Sequence, residues 1–271
     1  MPPRRRSGAR RSAASETGTW ALFALVAALI VILAGGFIWL RMAAAERPVL
    51  NKATLCPVDG EKSVTVVLLD TSDEWPAITR AEVRKRLADI AADVPGYGLL
   101  ELRVLDPSQQ GGRIMFSKCN PGDGSNLSEI IDNPRMAHKI WMEQFHKPLQ
   151  GALDKTLVQS ETHSSPILST VQRIAVDRFD DDRPGHLIII SDMIEHMPPD
   201  YSQYNGDLSY DAYKQTAAFK RQHTDMEGAE VTIFYVQRLR MESDKHIRFW
   251  TDWIADNNGK LNEAVKLQGA D

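Results

Sequence analysis

Hydrophobic positions in this chain fall into three patterns. The first is a run from Trp20 through Leu40 with no charged residue. As a helix rising about 1.5 Å per residue it would extend roughly 31 Å, close to the ~30 Å hydrocarbon thickness of a bilayer. The second is a set of short, continuous, β-branched runs: residues 64–69, ending at Asp70, residues 187–190, followed by Ser191 and Asp192, and residues 231–236. Continuous runs of this length read as strands buried on both faces of a parallel sheet. The third is helical spacing. Val83, Leu87, Ile90 and Val94 predict a helix over 76–94, stopped by Pro95-Gly96-Tyr97-Gly98. Ile167, Val171, Ile174 and Ala175 predict another over 166–179.

Further elements fill the intervals. Residues 99–105 and 113–117 read as second and third strands, and the short turn between them makes that pair antiparallel. Residues 133–159 predict a long helical stretch broken at Pro148. Residues 193–209 read as irregular, 210–224 and 243–257 as helices, and 261–267 as an edge strand. Strands alternating with helices predict an α/β fold, a Rossmann-like doubly wound and mostly parallel sheet with one antiparallel edge strand, preceded by a single transmembrane helix. The expected organisation is a basic cytoplasmic tail (1–19), the span (20–40), a linker (41–55) and the α/β domain (56–271).

Charge adds direction to this picture. Residues 1–40 carry five Arg against one Glu, a net +4, so the rest of the chain holds −8 of the overall −4. An acidic body argues against nucleic acid as a partner. The five Arg ahead of the span favour a cytoplasmic N-terminus, with the body outside, in a bacterial periplasm. A signal peptide cleaved near Ala43-Ala44-Ala45 is the competing reading, but its apolar core would be only about 7–15 residues long. An oxidising compartment suits the two cysteines, Cys56 and Cys119. Strand direction delivers both to the amino-end side of the sheet, so a disulfide between them is expected.

Candidate chemistry gathers at strand ends. Asp70 and Asp192 each close an apolar strand, and ligands of doubly wound sheets bind at carboxyl ends near the topological switch point. Ser72 and Glu74 follow Asp70 closely, and Ser165 precedes Pro166 at a helix start. Oxygen groups of this kind suit a hard cation, Mg2+ or Ca2+. This constellation resembles a von Willebrand factor type A domain with its metal-ion-dependent adhesion site. The family has an Asp-x-Ser-x-Ser motif, a later Thr and a final Asp. Asp70 and Ser72 match the first two motif positions, Glu74 replaces the second Ser, Ser165 (or Thr162) stands near the Thr, and Asp192 matches the final Asp without the Gly that often follows. The resemblance implies a protein-binding module with a metal-assisted contact to an acidic side chain, and no enzyme.

Each of these residues also has a plain structural reading. Asp70 and Asp192 could cap loops, and Ser165 before Pro166 suits a helix N-cap. A membrane-tethered, metal-dependent phosphohydrolase with Asp70 as nucleophile is the alternative function, but it needs a second Asp where Ser72 stands. No Gly-x-Ser-x-Gly elbow is present, and the seven His are scattered. Four of the six Tyr, Tyr201, Tyr204, Tyr210 and Tyr213, cluster after Asp192; they are expected either to form a partner-binding surface or to tack down a long loop with their own rings.

Overall fold

The computed structural model describes residues 14–45, 48–73, 75–125, 127, 133–156, 162–204, 208–238 and 241–270. It divides into two compact units, residues 1–48 and 49–271. In the first unit, α1 (Ala14–Ala45) is one unbroken helix. Its stretch Trp20–Trp39 is the one helix long and apolar enough to cross a membrane among the described residues. The large side chains of that stretch are exposed on all sides of the helix, from Trp20 through Leu29 to Trp39. An all-round apolar surface suits a non-aqueous surrounding rather than one packed face.

The second unit is a three-layer α/β domain. In chain order it contains β1 (Val64–Leu69), α2 (Ala77–Asp93), β2 (Leu99–Val104), β3 (Arg113–Cys119), α3 (Pro134–Ile140), a π-helical turn (Trp141–His146), α4 (Lys147–Thr156), α5 (Ile167–Arg178) and β4 (Gly185–Ser191). A small hairpin, β5 (His196–Met197) and β6 (Tyr201–Ser202), follows, then α6 (Tyr210–Lys214), α7 (Ala217–Gln222), β7 (Glu230–Arg238), α8 (Ser243–Asp256) and β8 (Lys260–Ala270). The six-stranded sheet has the order β3-β2-β1-β4-β7-β8. Only β3 is antiparallel to its neighbour. The strand order reverses between β1 and β4, so the switch point lies between the ends of those two strands.

The apolar runs are continuous because both faces of the sheet are covered. Val66, Leu68, Ile189, Ile233 and Tyr235 face one layer with α5 and α8, where Ile174, Phe249 and Trp250 are buried. Val67, Leu69, Ile190, Phe234 and Val236 face the other, with Val83 and Leu87 of α2, Phe145, and Leu149 of α4. One carboxylate lies inside this packing. Glu101 on β2 is fully buried, takes Arg103 Nε at 2.6 Å and Ser117 Oγ at 2.9 Å, and accepts two bonds from Arg178, at 3.0 and 2.7 Å. Burial opposes its charge, yet the two guanidinium groups hold it below the usual carboxylate range.

Several elements differ from the sequence expectation for identifiable reasons. The helical stretch is not broken at Pro148. The chain widens into the π-helical turn just before it, and the carbonyl of Gln144, which Pro148 has no N–H to serve, accepts Lys118 Nζ at 3.0 Å. The expected helix over 210–224 is two short helices, α6 and α7, because Thr216 interrupts it and caps the second through its hydroxyl on the Phe219 N–H. The stretch read as irregular holds the β5–β6 hairpin. Residues 50–57 join the domain, with Leu55 buried and Leu50 bridging Pro57.

Cys56 and Cys119 are joined as a disulfide, with Cα atoms 4.7 Å apart. Cys119 ends β3 opposite Leu99, at the amino end of β2, and its N–H donates to Thr54 O at 2.9 Å. The bridge therefore sits at the sheet edge opposite the ends of β1 and β4. It closes a loop across a sequence separation of 63 residues. Protein purified without reductant is expected to show no free thiol after denaturation. Cys56→Ser is expected to lose about 4 kcal/mol of unfolding free energy on the chain-entropy model. Two titratable thiols in the unreduced protein would contradict the bridge.

Candidate functional site

The carboxyl ends of β1 and β4 deliver Asp70 and Asp192 to one crevice, and both are buried. Asp70 is held by the sheet itself, since its N–H donates to Ile190 O at 2.9 Å. Its side chain is the centre of a donor shell. Oδ1 accepts the N–H and the hydroxyl of Ser72, at 3.1 and 2.6 Å. Oδ2 accepts the hydroxyls of Ser165, at 3.1 Å, and Ser191, at 2.7 Å. An ionised carboxylate offers about four lone-pair positions, and four donors occupy them here.

The structure thus brings together Asp70, Ser72, Ser165 and Asp192, four of the five residues expected to share an ion. Glu74 lies outside the described residues. Ser165 holds the position near the family's Thr, while the Thr162 hydroxyl turns to Ser164 O at 2.9 Å. Ser165 does not cap the helix that follows it. The first turn of α5 receives no cap from its neighbouring residues. Instead Glu195 reaches across, and its Oε2 accepts the Leu168 N–H at 2.8 Å.

Asp192 is engaged differently. Its Oδ1 accepts the Ile194 N–H at 3.0 Å, and its Oδ2 accepts Nε of Arg238 at 2.8 Å. The same guanidinium donates through Nη2 to Asp73 Oδ2 at 2.5 Å. Arg238 is the last residue of β7, which pairs beside β4, so the strand order places its side chain next to Asp192. Burial, and then the charge of Asp70, push the Asp192 carboxyl upward, and Arg238 pulls it back. Met193 stands where the resembled family often has Gly, and it adopts the left-handed conformation at φ 63°. The strain of about 1–2 kcal/mol is offset because its N–H donates to Ser191 Oγ at 2.7 Å, its carbonyl accepts Trp250 Nε1 at 2.9 Å and its side chain is fully buried.

Behind the crevice lies a buried polar cluster. His246 Nε2 lies 3.0 Å from Gln203 Oε1, and Nδ1 lies 2.9 Å from the Tyr235 hydroxyl. Trp250 Nε1 also lies 3.1 Å from Nε2, and burial pushes the ring's pKa down to about 4. Gln203 Oε1 also accepts the Glu195 N–H at 2.8 Å. Glu195 itself is fully buried, its Oε1 has no hydrogen-bond partner among the described residues, and burial pushes its carboxyl up to about 8.

The tyrosine cluster needs correction. Tyr210 and Tyr213 are buried and pack edge-on to Phe249, with ring centroids 5.6 and 5.4 Å away. Tyr201 lies tilted against Tyr213, with ring centroids 4.9 Å apart, and packs against the same core. Tyr210 and Tyr213 cannot touch a partner, because the domain core already covers their rings. Tyr204 alone of the four is open, at 53% exposure, with its ring edge-on to His196 at 4.9 Å. With Ser72, Asp73, Thr162, His163 and Ser164, these two residues line a shallow polar recess at the mouth of the crevice.

Sequence reasoning missed Ser191, Glu195 and Arg238. Ser191 was legible as the polar residue before Asp192. Arg238 carried a weaker signal, a basic residue directly after the apolar run of β7 on the same sheet edge.

The fold and site together define a doubly wound α/β domain with an acidic, hydroxyl-rich crevice at its switch point. No family model and no curated protein matches the sequence. Among solved structures, the chain is similar to the VWA domain of SpRpn10, at 10% identity and TM-score 0.40, over 77% of this chain and 89% of that one. It is also similar to the human COPII-coat protein Sec24c, at 9% identity and TM-score 0.40, over 77% of this chain and 29% of that one. The chain therefore spans under a third of the coat protein's length.

The raised Glu195 carboxyl makes a pH prediction. A carboxyl whose folded pKa, about 8, exceeds the ordinary 4.5 contributes stability that is complete below 4.5 and is lost as pH rises through 8. Glu195→Gln stays neutral at every pH and keeps an acceptor for the Leu168 N–H. Its stability relative to the parent, from urea midpoints, is expected to improve between about pH 6 and about pH 9 by around 1 kcal/mol or more, since a tenfold change in proton affinity is worth about 1.4 kcal/mol. A constant difference across that range would show that Glu195 is ionised throughout.

Proposed function

We propose that this protein is a single-pass membrane protein whose α/β domain binds another protein on the periplasmic side of a bacterial inner membrane. The observation that carries the reading is the rim of the switch-point crevice, where Tyr204, His196 and Asp73 line a recess and Arg238 joins Asp73 to Asp192 beside it. Tyr and Arg are residue types enriched at interaction hot spots, and this edge is where the fold gathers ligands. The state of Asp70 favours binding over catalysis. All its acceptor positions are filled by Ser72, Ser165 and Ser191, which leaves no lone pair poised for nucleophilic attack on phosphorus. The apolar stretch Trp20–Trp39, the five Arg ahead of it and the Cys56–Cys119 bridge support the membrane anchor and the outward orientation.

Topology is tested by fusing a reporter that is active only in the periplasm after Asp271. Activity in a bacterial host is expected, and activity from a cytoplasm-only reporter at that position would reverse the orientation. The binding surface is tested by affinity capture of the full chain from solubilised membranes. A protein that co-purifies with the parent is expected to be lost by about tenfold or more with Tyr204→Ala, the loss typical of a hot-spot aromatic. Capture that is indifferent to Tyr204→Ala, or phosphate release from a phosphate ester by the purified protein, would count against the reading.

A further inference from the structure

The resemblance raised by the sequence carries a divalent cation with it, and the residues present do not fit one. The hydroxyls of Ser72, Ser165 and Ser191, which would have to turn their oxygens toward an ion, all donate to Asp70. Asp70 has both oxygens saturated by those donors and by the Ser72 N–H. Asp192 has one oxygen on the Ile194 N–H and the other on Arg238. No group of three or more His, Cys, Asp or Glu side chains placed to share a metal occurs among the described residues.

What the crevice holds instead is a fixed positive charge. The Arg238 side chain is three-quarters buried and joins Asp192, at the end of β4, to Asp73, in the loop after β1. Those are the two sides of the switch point that a shared cation would bridge. A planar guanidinium makes directional bonds to two carboxylates, stays charged at every accessible pH and is less strongly hydrated than an ammonium, so it suits a largely buried bridging position. A divalent ion entering the crevice would have to displace these bonds or sit beside a permanent like charge.

We propose that Arg238 is the resident cation of this site: its guanidinium occupies the place of a divalent ion, bridges the β1 and β4 sides, and makes the crevice metal-independent. The inference does not depend on the partner-binding reading, because it concerns how the site's own charge is balanced.

The test uses the full chain in detergent, titrated with Mn2+ followed by electron paramagnetic resonance, and with Mg2+ and Ca2+ followed by melting temperature. The parent protein is expected to show no saturable Mn2+ binding and no melting shift with Mg2+ or Ca2+. Arg238→Ala is expected to gain saturable Mn2+ binding, about tenfold or more above the parent's unsaturable background, with a melting temperature that rises with added metal. Adding Asp192→Ala is expected to remove that gain. Arg238→Lys keeps the charge and is expected to stay metal-independent. Arg238→Gln loses the charge but keeps a polar stem, and replaces the alanine variant if that one fails to fold. Saturable binding by the parent that Asp70→Ala abolishes would overturn the proposal. So would a folded Arg238→Ala and Arg238→Gln pair that binds no more metal than the parent.

Discussion

A carboxylate that ends a strand buried on both faces has little access to bulk water, so the protein must supply its hydrogen-bond donors. Asp70 meets that requirement with three hydroxyls and an N–H, and the carboxyl edge of the domain is built around it. The shell draws on three segments that are distant in sequence: the loop after β1, the start of α5 and the end of β4. It therefore ties together the elements that frame the switch point. Ser191 does double duty, since its hydroxyl donates to Asp70 and accepts the Met193 N–H. That second bond helps hold Met193 in the left-handed turn that sends the chain away from the sheet.

Three further buried acids show how the same constraint is resolved in different ways. Glu101 is paired with two guanidinium groups and stays charged, with its pKa lowered. Asp192 has one guanidinium and the repulsion of Asp70, and its pKa rises. Glu195 accepts a helix-start N–H, bonds no cation among the described residues and sits beside the Gln203–His246 cluster, and burial pushes its carboxyl up to about 8. Burial raises all three, and the adjacent guanidinium groups are what lower Glu101 and pull Asp192 back.

Arg238 changes the meaning of the crevice. Viewed through Asp70, Ser72, Ser165 and Asp192 alone, the edge reads as a cradle of oxygens. With Arg238 in place, it is an ion-paired rim whose net charge is already partly balanced. Tyr204 and His196 extend that rim outward on the β5–β6 side, where Ser165 and His196 also form a backbone bridge. The hairpin thus couples the exposed aromatic to the residues that hold Asp70.

Much of this architecture was legible in the sequence. Continuous β-branched runs ending in Asp70 and Asp192 identified two buried parallel strands, because burial on both faces removes the polar alternation that a half-exposed strand shows. Short connections and strand direction predicted the antiparallel β3 and the Cys56–Cys119 pairing, since both follow from chain geometry. Spacing alone did not distinguish Tyr204 from Tyr210 and Tyr213. Which tyrosine faces solvent depends on how α6 packs against Phe249 of α8, a contact between segments nearly forty residues apart. Nor did spacing reveal that the hydroxyl of Ser165 serves Asp70 while a distant Glu195 serves its helix, or that Arg238 lies against Asp192. Those assignments are side-chain pairings across strands β1, β4 and β7, and only the lateral order of the sheet, which local sequence does not encode, brings the partners within hydrogen-bonding reach.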